Sequence, residues 1–473
     1  MKTSRREFVS GAVALGAFGA VRASVLRPDT FAASQGVRLR IGILSDTHLD
    51  KDSTAARKFK RALEAFRKRR VDGVLICGDL TDNGIIPQME EVARTWESVF
   101  PDSKGLDGTH VERLFLCGDH DNRGNWMSGE DKRVCGQYGW TKATLDENTC
   151  FLRIKETWER IFGETWSQIV HKRVKGYDFV LAHFNPRGRN TTPGLKQFLE
   201  GVSIDPAKPF FYAQHRVLRN TVCGSGAWGQ DDGSVGKLLS AYPNCCAFCG
   251  HSHQSAVRED AIWQGAFTAV QVPSLKYLIQ EAGHENKPDE RCAEQGMLLD
   301  VYDERMAIHR IDFANGKPLG PSWEMPLGAN ARPFAHETRR RSAPVPEFPA
   351  GARLIAEIKQ GGRAVDRLLS LEFPVVNGLQ SGVRAYDYEV TLDAILFGGD
   401  VQRSVRRVFA PDCHFAPLAD GETMKVELSL REFRKSRALK SPKTGALHVS
   451  VRPREVFGGI GRAIETDAIY SKA

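Results

Sequence analysis

The sequence predicts an α/β domain with a largely parallel sheet, followed by a small all-β sandwich. Short apolar segments alternate with helical patterns in the first part of the chain, as in parallel strands joined by crossover helices. Beyond about residue 344 the helical pattern disappears, and short alternating segments separated by turn residues remain. The chain has 473 residues, more than one hydrophobic core usually supports, so two domains are expected.

The predicted elements begin in the order β-α-β-α-β. Ser53 is predicted as the N-cap of the first helix, because apolar residues such as Phe59, Leu63 and Phe66 recur after it at helical spacing. A less regular insertion is predicted from residue 122 to 176. Strands are predicted at 37–44, 74–77, 114–117, 179–182, 209–214 and Cys245–Cys249, a hairpin at 297–311, and further helices at 88–100, Ile154–Phe162 and 235–242.

Domain boundaries are predicted from shifts in composition. A Pro-rich and Arg-rich segment lies between the two kinds of pattern and is typical of a linker. The prediction is a signal segment at 1–35, an α/β domain at 36–328, a linker at 329–343 and a β-sandwich domain at 344–473. The strands expected in the last domain lie at 368–373, 386–390, 424–430 and 447–451.

The N-terminus resembles a twin-arginine export signal. Arg5 and Arg6 precede an apolar run of small residues from 9 to 21, which is too short to span a bilayer comfortably. We therefore expect an exported protein, periplasmic or extracellular, that uses the twin-arginine export machinery and has no stable membrane insertion. The mean hydropathy of −0.35 also argues against an integral membrane protein.

The net charge and the cysteine content bear on two questions, whether the protein binds nucleic acid and whether it contains disulfides. The formal net charge is +8, of which residues 1–35 carry +3, so charge alone does not indicate nucleic-acid binding. The ten cysteines are scattered, and twin-arginine substrates fold in the reducing cytoplasm before export, so structural disulfides are not expected.

Acidic and histidine residues follow five of the predicted strands. In three cases a glycine precedes the acidic or histidine residue, which lets the backbone turn sharply and place that side chain at the edge of the sheet. One such pair would mean little in a chain with 13 histidines, but five in this order argue against coincidence. The motifs are Asp46-x-His48, Gly78-Asp79-Leu80-Thr81-Asp82, Gly118-Asp119-His120-Asp121, Gln214-His215 and Gly250-His251-Ser252-His253.

Together these motifs resemble those of the calcineurin-like metallophosphoesterases, over roughly residues 37 to 315. The resemblance implies a β-sandwich flanked by helices (α/β/β/α) and two metal ions bridged by one carboxylate and a water or hydroxide. One metal ion would be bound by Asp46, His48, Asp79 and His253, and the second by Asp79, Asp119, His215 and His251.

The implied activity is hydrolysis of a small-molecule phosphodiester or phosphomonoester by the metal-bridging hydroxide. His120 would stabilise the transition state or protonate the leaving oxygen, with Asp121 orienting it. Imidazole and carboxylate ligands suit two divalent ions such as Mn, Zn or Fe without any thiolate. Two such ions can bind a nucleophile and neutralise charge on the phosphate.

Two details bear on the subtype. A ferric purple phosphatase would be expected to have Tyr in the loop after Asp79, but residues 80–83 lack it, so the chain is closer to the phosphodiesterase-like branch. Asp119 stands where the family usually has Asn. Its extra charge predicts firmer metal binding and either an alkaline-shifted optimum or a preference for an ion of higher charge such as Fe(III). The first is favoured, because no Tyr is identified to stabilise ferric iron.

Other candidates have competing interpretations. His183 lies at a strand end and is interpreted as supporting or core rather than as a ligand, and Cys246 and Cys249 as buried thiols rather than a redox pair. Several polar residues follow the strands that end at His183 and His215. They could contact the substrate phosphate or simply be charged or polar surface residues, and the sequence favours neither interpretation. These residues are Arg187, Arg189, Asn190, Arg216 and Arg219.

A second hypothesis belongs to another class of protein. The chain would be a secreted binding protein with a vestigial metal site, whose C-terminal domain binds glycan or a partner. Exposed aromatic residues would form the binding platform, with Tyr386, Tyr388, Phe409 and Phe415 as candidates. The intact ligand set argues against this hypothesis.

Overall fold

The first of three β-sheets has seven strands and begins near the start of the region described. The computed structural model describes residues 36–125, 154–185, 192–224, 227–279, 294–327, 336–360, 367–378, 383–395, 401–415, 417–419, 421–430 and 447–470. Strands β1, β2 and β3 are parallel, and β10 pairs antiparallel with β1. The strands are β1 (Leu39–Leu44), β2 (Gly73–Cys77), β3 (Glu112–Leu116), β10 (Gln295–Val301), β11 (Arg305–Asp312), β12 (Lys317–Pro318) and β13 (Trp323–Pro326).

The second sheet has six strands, of which β5, β6, β7 and β9 are parallel. Its first strand lies inside the region that was predicted to be a less regular insertion, so that prediction was wrong for residues 169–174. The strands are β4 (Ile169–Val174), β5 (Tyr177–Ala182), β6 (Phe210–Gln214), β7 (Cys245–Cys249), β8 (Ile262–Gln264) and β9 (Thr268–Gln271).

The two sheets pack face to face around one apolar core. Ile41, Ile43 and Leu75 of the first sheet share this core with Phe179 and Phe211 of the second. Because alternate side chains of a strand point to opposite faces, strands buried on both faces are apolar at nearly every position. β7 is an example, since all five of its residues are buried.

Helices cover the outer faces of both sheets, which confirms the predicted α/β/β/α arrangement. The first helix buries Phe59, Leu63 and Phe66 along one face. Its N-cap is Asp52, whose carboxylate accepts a hydrogen bond from Thr54 N–H, so the prediction of Ser53 as N-cap was wrong. Helices α1 (Ser53–Lys68), α2 (Ile86–Val99) and α3 (Ile154–Phe162) lie on the first sheet, and α4 (Thr192–Gly201) and α5 (Ser234–Leu239) on the second.

The C-terminal region is all-β, as predicted. Its seven strands form one hydrogen-bonded path in which β20 pairs with both β19 and β14. Side chains from the two halves of this path share one core, where the Phe373 and Tyr388 rings lie 4.9 Å apart. The strands are β14 (Ile355–Gln360), β15 (Arg367–Pro374), β16 (Asp387–Ile395), β17 (Val401–Phe409), β18 (Thr423–Ser429), β19 (Leu447–Arg454) and β20 (Ile464–Tyr470).

The aromatic residues proposed as an exposed platform are largely buried. Tyr388 is fully buried, and its hydroxyl accepts a hydrogen bond from Val376 N–H. Tyr386 is buried under the Arg258 guanidinium, which donates to its hydroxyl at 3.1 Å. Phe409 packs against Tyr386 with ring centroids 5.5 Å apart, and Phe415 packs against a buried leucine. This part of the binding-protein hypothesis was therefore wrong.

The segment predicted as a linker contains a helix, α6 (His336–Ser342). Arg339 of this helix donates hydrogen bonds to the Ile262 carbonyl and to the Glu259 carboxylate, which attaches α6 to the second sheet. The domain boundaries stay a prediction. The predicted export signal at 1–35 lies outside the described residues.

Among the helices that the structure describes, none combines the length and the apolar character needed to cross a membrane.

Candidate metal centre

The seven predicted metal ligands all lie at the carboxyl ends of strands and come together at one edge of the sandwich. Neighbouring parallel strands end at the same edge of a sheet, so the loops after β1, β2 and β3 meet there. The backbone N–H groups of Asp46 and His48 donate to the carbonyls of Gly78 and Asp79. The second sheet contributes the loops after β6 and β7, which are joined by the bond from Gly250 N–H to the His215 carbonyl.

The first group of ligands, here called cluster A, consists of Asp46, His48, Asp79 and His253. His253 Nε2 lies 3.1 Å from Asp46 Oδ1 and 3.2 Å from His48 Nε2. His48 Nε2 lies 3.6 Å from Asp79 Oδ2. All four residues are buried, so a cation bound here would be enclosed by protein.

The second group, here called cluster B, consists of Asp79, Asp119, His215 and His251. Asp119 Oδ1 lies 3.0 Å from both His215 Nε2 and His251 Nδ1. His215 Nε2 lies 3.2 Å from Asp79 Oδ2, the same oxygen that faces His48. Asp79 therefore belongs to both clusters.

The backbone adopts an unusual conformation at five of the seven candidate ligands. Their φ angles lie between 43° and 68°, in the left-handed region that residues other than glycine seldom adopt. Such strain is typical of functional sites, where the surrounding structure enforces it. The five residues are Asp46, His48, Asp79, His251 and His253.

Close packing also explains one of the glycines in the motifs. A Cβ atom on Gly118 would lie 2.1 Å from Asp79 Oδ1 and 2.5 Å from the Asp79 backbone nitrogen. Any side chain at this position would displace the shared carboxylate. The Gly-Asp pattern that the sequence repeats is thus a steric requirement of the site.

Backbone carbonyls orient two of the histidines. His215 Nδ1–H donates to the Cys77 carbonyl at 2.8 Å, and His253 Nδ1–H donates to the Tyr277 carbonyl at 3.1 Å. Each bond requires a proton on Nδ1 and directs Nε2 at the carboxylates. This outer partner, which fixes the tautomer, is typical of metal-binding histidines.

The residues fit a pair of metal cations. Asp46 Oδ1 is buried and makes no hydrogen bond within the described residues, and two pairs of imidazole nitrogens face each other at 3.1 to 3.2 Å. Burial lowers the pKa of His48 to about 4, which keeps the ring in the neutral form that binds metal. Facing nitrogens and an unbonded carboxylate oxygen are satisfied together by a cation.

The carboxylates of both clusters stay ionised. Burial by itself would raise the pKa of Asp46, but the imidazoles of His253, His215 and His48 outweigh it and lower that pKa. The pKa of Asp119 is lowered in the same way, because His215 and His251 outweigh burial. Burial would lower the pKa of His215, yet the neighbouring carboxylates raise it well above its ordinary value, so this position favours positive charge.

His120 lies beside cluster A and contacts two residues that were given no role from the sequence. Its Nδ1–H donates to the Asp82 backbone carbonyl at 2.9 Å, and its Nε2 accepts from Arg123 Nη2 at 2.6 Å. Its ring meets the His48 ring edge-on, with centroids 4.4 Å apart. Arg123 lies one turn after His120 in a 3₁₀ helix, so it falls on the same side.

Asp121 contacts the backbone and not the ring of His120. Its carboxylate accepts hydrogen bonds from the backbone N–H groups of Leu80, Thr81 and Gly118 and from the Thr81 hydroxyl. The direct contact by which Asp121 was expected to orient His120 is therefore not what the structure has. Asp121 instead ties the loop after β2 to the loop after β3.

The remaining candidates have different surroundings. His183 is buried, accepts a hydrogen bond from Cys117 N–H at 2.9 Å and stacks on Trp166, as interpreted from the sequence. The Arg216 guanidinium lies over the Phe184 ring. Cys246 and Cys249 are free, buried thiols. Arg219 is exposed and packs on Gly233, whereas Arg187, Arg189 and Asn190 lie outside the described residues.

Sequence reasoning missed four residues beside the centre. Two of them had a local signal, because Asp82 is part of the motif that begins at Gly78 and Arg123 follows His120 at helical spacing. Trp228 and Tyr277 come from loops without a local signal. The Tyr277 ring lies 4.3 Å from the His253 ring and 5.5 Å from the His48 ring. A tyrosine therefore lies beside the histidines of cluster A, although it does not come from the loop after Asp79. Burial, and then Asp46 and Asp82, raise the pKa of this phenol.

Residues 39–255 match the sequence model of the calcineurin-like phosphoesterase family. This segment contains both clusters and strands β1 to β7, whereas the strands β8 to β13 that complete the two sheets lie beyond it. The protein thus contains a calcineurin-like phosphoesterase domain and is a metal-dependent phosphoesterase, a hydrolase. Proteins of that family use a dinuclear centre of divalent metal ions, and the buried Asp and His residues here can bind such ions.

Similarities to solved structures are weak. Vacuolar protein sorting 29 from Cryptosporidium parvum is 9% identical over 61% of this chain and 98% of its own, with a TM-score of 0.29. A predicted phosphoesterase from Streptococcus pneumoniae is 12% identical over 62% and 99%, with a TM-score of 0.26. PhoD is 10% identical over 64% and 72%, with a TM-score of 0.35. Values this low carry no argument about function.

Among curated protein sequences, none matches this chain significantly.

Proposed function

We propose that the protein hydrolyses phosphodiesters or phosphomonoesters at a dinuclear metal centre formed by clusters A and B. The observation that carries this proposal is the shared carboxylate, because Asp79 Oδ2 faces His48 of one cluster and His215 of the other. A carboxylate between two sets of imidazole and carboxylate ligands is what two adjacent divalent ions require.

In this proposal the seven ligands bind the two ions, Mn, Zn or Fe, four side chains to each with Asp79 common to both. When bound, such ions lower the pKa of a water molecule and neutralise charge on the phosphate. The ligands contribute three carboxylates, Asp46, Asp79 and Asp119, and the lowered pKa values of the first and last keep those two ionised. Burial of cluster A supports its retention of metal when solvent conditions change.

His120 and Arg123 are proposed to bind the phosphate oxygens of the substrate. Both are partly buried beside cluster A, and their side chains are already paired. The guanidinium fork matches phosphate geometry, so Arg123 can move from His120 Nε2 to the phosphate oxygens. That exchange frees Nε2 to take up a proton from solvent, and the resulting imidazolium can donate this proton to the leaving oxygen. The bond from His120 Nδ1–H to the Asp82 carbonyl keeps the ring oriented during the exchange.

Asp121 is proposed as a positioning residue. Its carboxylate accepts four hydrogen bonds that join the loops carrying Asp79 and Asp119. The distance between the two clusters depends on these loops. A rigid carboxylate clamp therefore supports the spacing that two adjacent metal ions need.

The proposal is tested on the full chain after removal of metal by a chelator. Mn, Zn, Fe or Co is then added, the metal content per chain is measured, and hydrolysis of bis(4-nitrophenyl) phosphate and 4-nitrophenyl phosphate is followed. We expect about two ions per chain and turnover of at least one ester. Asp303→Asn serves as the matched control, because this carboxylate is exposed and pairs only with Arg38 among the contacts described for it. Binding of two ions without any hydrolysis would overturn the proposal.

We also propose that residues 1–35 direct export by the twin-arginine route, to the periplasm or beyond. The support is the Arg5-Arg6 pair followed by a short apolar run. In a bacterial host with this pathway, replacing both arginines by lysine should retain the protein in the cytoplasm. Arg22→Lys, after the apolar run, is the control. Unchanged export of the double variant would contradict the proposal.

A further inference from the structure

We propose that Trp228 binds a planar aromatic group of the substrate by stacking, and that the substrate is therefore an aryl or nucleobase-bearing phosphoester. This inference rests on the proposed phosphoesterase activity and adds the class of organic group that the site accepts. It concerns the loop between β6 and α5, which lies against cluster B.

The Trp228 ring lies almost parallel to the ring of the ligand His251. The interplanar angle is 20° and the ring centroids are 4.6 Å apart. His251 points its Nδ1 at Asp119, so the indole covers the imidazole outside the cluster. Trp228 is nevertheless 53% exposed, which is far more than a tryptophan used only for packing. One part of the indole packs on the metal ligand His251, and the rest faces solvent beside the metal centre.

The local sequence permits this contact because residue 229 is glycine. Gly229 has a φ of 76°, and a Cβ atom on it would lie 2.1 Å from His251 Cδ2. Any other residue would push the loop away from the imidazole. The approach of Trp228 to cluster B is thus determined by the backbone and does not result from one flexible side chain.

The loop is also tied to the strand end that carries His215. The side chain of Gln230 donates to the Ala227 carbonyl at 3.0 Å and accepts from Asn220 N–H at 3.1 Å. Asp231 N–H donates to the Val217 carbonyl at 2.8 Å, two residues after His215. Trp228 is therefore positioned relative to the metal ligands, and a stacking residue needs this to select a substrate.

The chemistry of an exposed indole determines the class of group that it binds. A large, rigid aromatic face stacks on other planar rings and contributes little to binding of small groups without a ring, such as methyl or glycerol. A phosphodiester has two organic substituents. When the leaving one is beside His120, the other can lie next to His251 and hence near Trp228. Aryl groups and nucleobases share the flat ring that this face selects.

The test compares two phosphonates that cannot be hydrolysed. Phenylphosphonate and methylphosphonate have the same head group, and only the first has a ring. Their dissociation constants are measured by calorimetry on the metal-loaded full chain. We expect Trp228→Ala to raise the dissociation constant of phenylphosphonate roughly tenfold, which is on the scale of base–aromatic stacking. The dissociation constant of methylphosphonate should rise less than about twofold. Trp228→Phe, which keeps a flat ring, should recover most of the affinity. Leu106→Ala, an exposed apolar change before β3, is the control.

A second pair of ligands distinguishes the two sources of an aromatic group. The methylenephosphonate analogues of AMP and ribose 5-phosphate, called AMP and ribose 5-phosphate below, resist hydrolysis because CH₂ replaces the ester oxygen. They differ in the nucleobase, which lies farther from phosphorus than the phenyl ring. A selective loss for AMP supports a nucleobase, and a selective loss for phenylphosphonate supports an aryl ester. Equal weakening of all four ligands would show that Trp228 only supports His251 and would overturn the inference. So would unchanged affinities. If wild-type protein binds none of the four and hydrolyses no ester, the proposed function itself fails.

Discussion

Cluster A and cluster B share Asp79 but differ in their contact with solvent. The side chains of His48 and Asp46 in cluster A are fully buried. In cluster B the Asp119 side chain is 27% exposed, and His251 is covered by the partly exposed Trp228. Cluster A lies under loops that are joined by backbone hydrogen bonds. Cluster B faces the loop between β6 and α5.

This difference implies a division of labour between two halves of one centre. Cluster A is built for retention, because enclosed ligands exchange metal slowly and keep their geometry. Cluster B is the more accessible of the two, because Asp119 and the neighbouring Trp228 meet solvent. The residue that departs from the family pattern, Asp119, lies on the open side, where its charge affects both metal and substrate.

The largest effect is expected from Asp79→Asn, which removes the difference between the clusters by disrupting both. Asp79 Oδ2 faces both clusters, so we expect loss of both metal ions and a fall in kcat/KM of more than about 100-fold, beyond the 10–100-fold usual for outer partners of a metal site. Metal content after dialysis and turnover of bis(4-nitrophenyl) phosphate measure this. Asp303→Asn is the control. Retention of one full ion would mean that Asp79 serves a single cluster.

His120→Asn should separate catalysis from metal binding. His120 contacts Asp82 and Arg123 and belongs to neither cluster, so the metal content should stay unchanged while kcat falls about 10²- to 10⁴-fold, the usual contribution of a general acid or base. Metal content after dialysis and turnover of bis(4-nitrophenyl) phosphate are measured again. His110→Asn, on an exposed histidine beside Glu112, is the control. A variant that loses metal would reassign His120 to the ligand set.

Asp119→Asn should affect cluster B alone. Removing the negative charge weakens retention of one ion, makes that ion a stronger Lewis acid and lowers the pKa of its bound water. We therefore expect a pH optimum shifted to the acidic side by roughly one unit, a common size for such perturbations. Asp46→Asn, in cluster A, is the matched comparison and should release the other ion. Unchanged metal affinity and pH profile would show that Asp119 is not a ligand.

The smallest effect concerns His183, which supports the end of β3 behind cluster B. Burial lowers its pKa to about 3, so between that value and its ordinary pKa the folded state binds fewer protons than the unfolded state. Its contribution to stability is present above about pH 6.5 and is lost as the pH falls, by about 2 kcal/mol between pH 7 and pH 5. Denaturant unfolding at both pH values measures this. The pH dependence should shrink in His183→Gln, and an equal dependence in both proteins would contradict the assignment.

Local patterns in the sequence were enough to find the seven residues that the tertiary structure brings together. Periodicity locates the buried strands, and parallel strands meet at one edge, so residues at strand ends such as Asp46, Asp79 and His215 are brought together by the fold class itself. The N-cap of α1 shows the limit of such patterns. Asp52 and Ser53 are both good capping residues, and only the backbone angles decide between them.

The sequence does not show which face of a strand is buried or which residues pack against it. Alternation places Tyr386 and Tyr388 on one face of a strand, but only the packing against Phe373 and Arg258 decides that this face is buried. The strand of residues 401–409 was missed because its many arginines hide the alternation.

The sequence by itself indicated the chemistry of this protein, since the carboxylates and imidazoles at successive strand ends predict a metal site and resemble the motifs of calcineurin-like metallophosphoesterases. Tertiary structure alone decided what surrounds that chemistry. Trp228 and Tyr277 reach the centre through loops that have no periodicity, so nothing local predicts their direction. The exposure that distinguishes cluster B from cluster A has the same origin. It depends on which loop lies over each cluster, and loop positions are set by contacts between residues far apart in the chain.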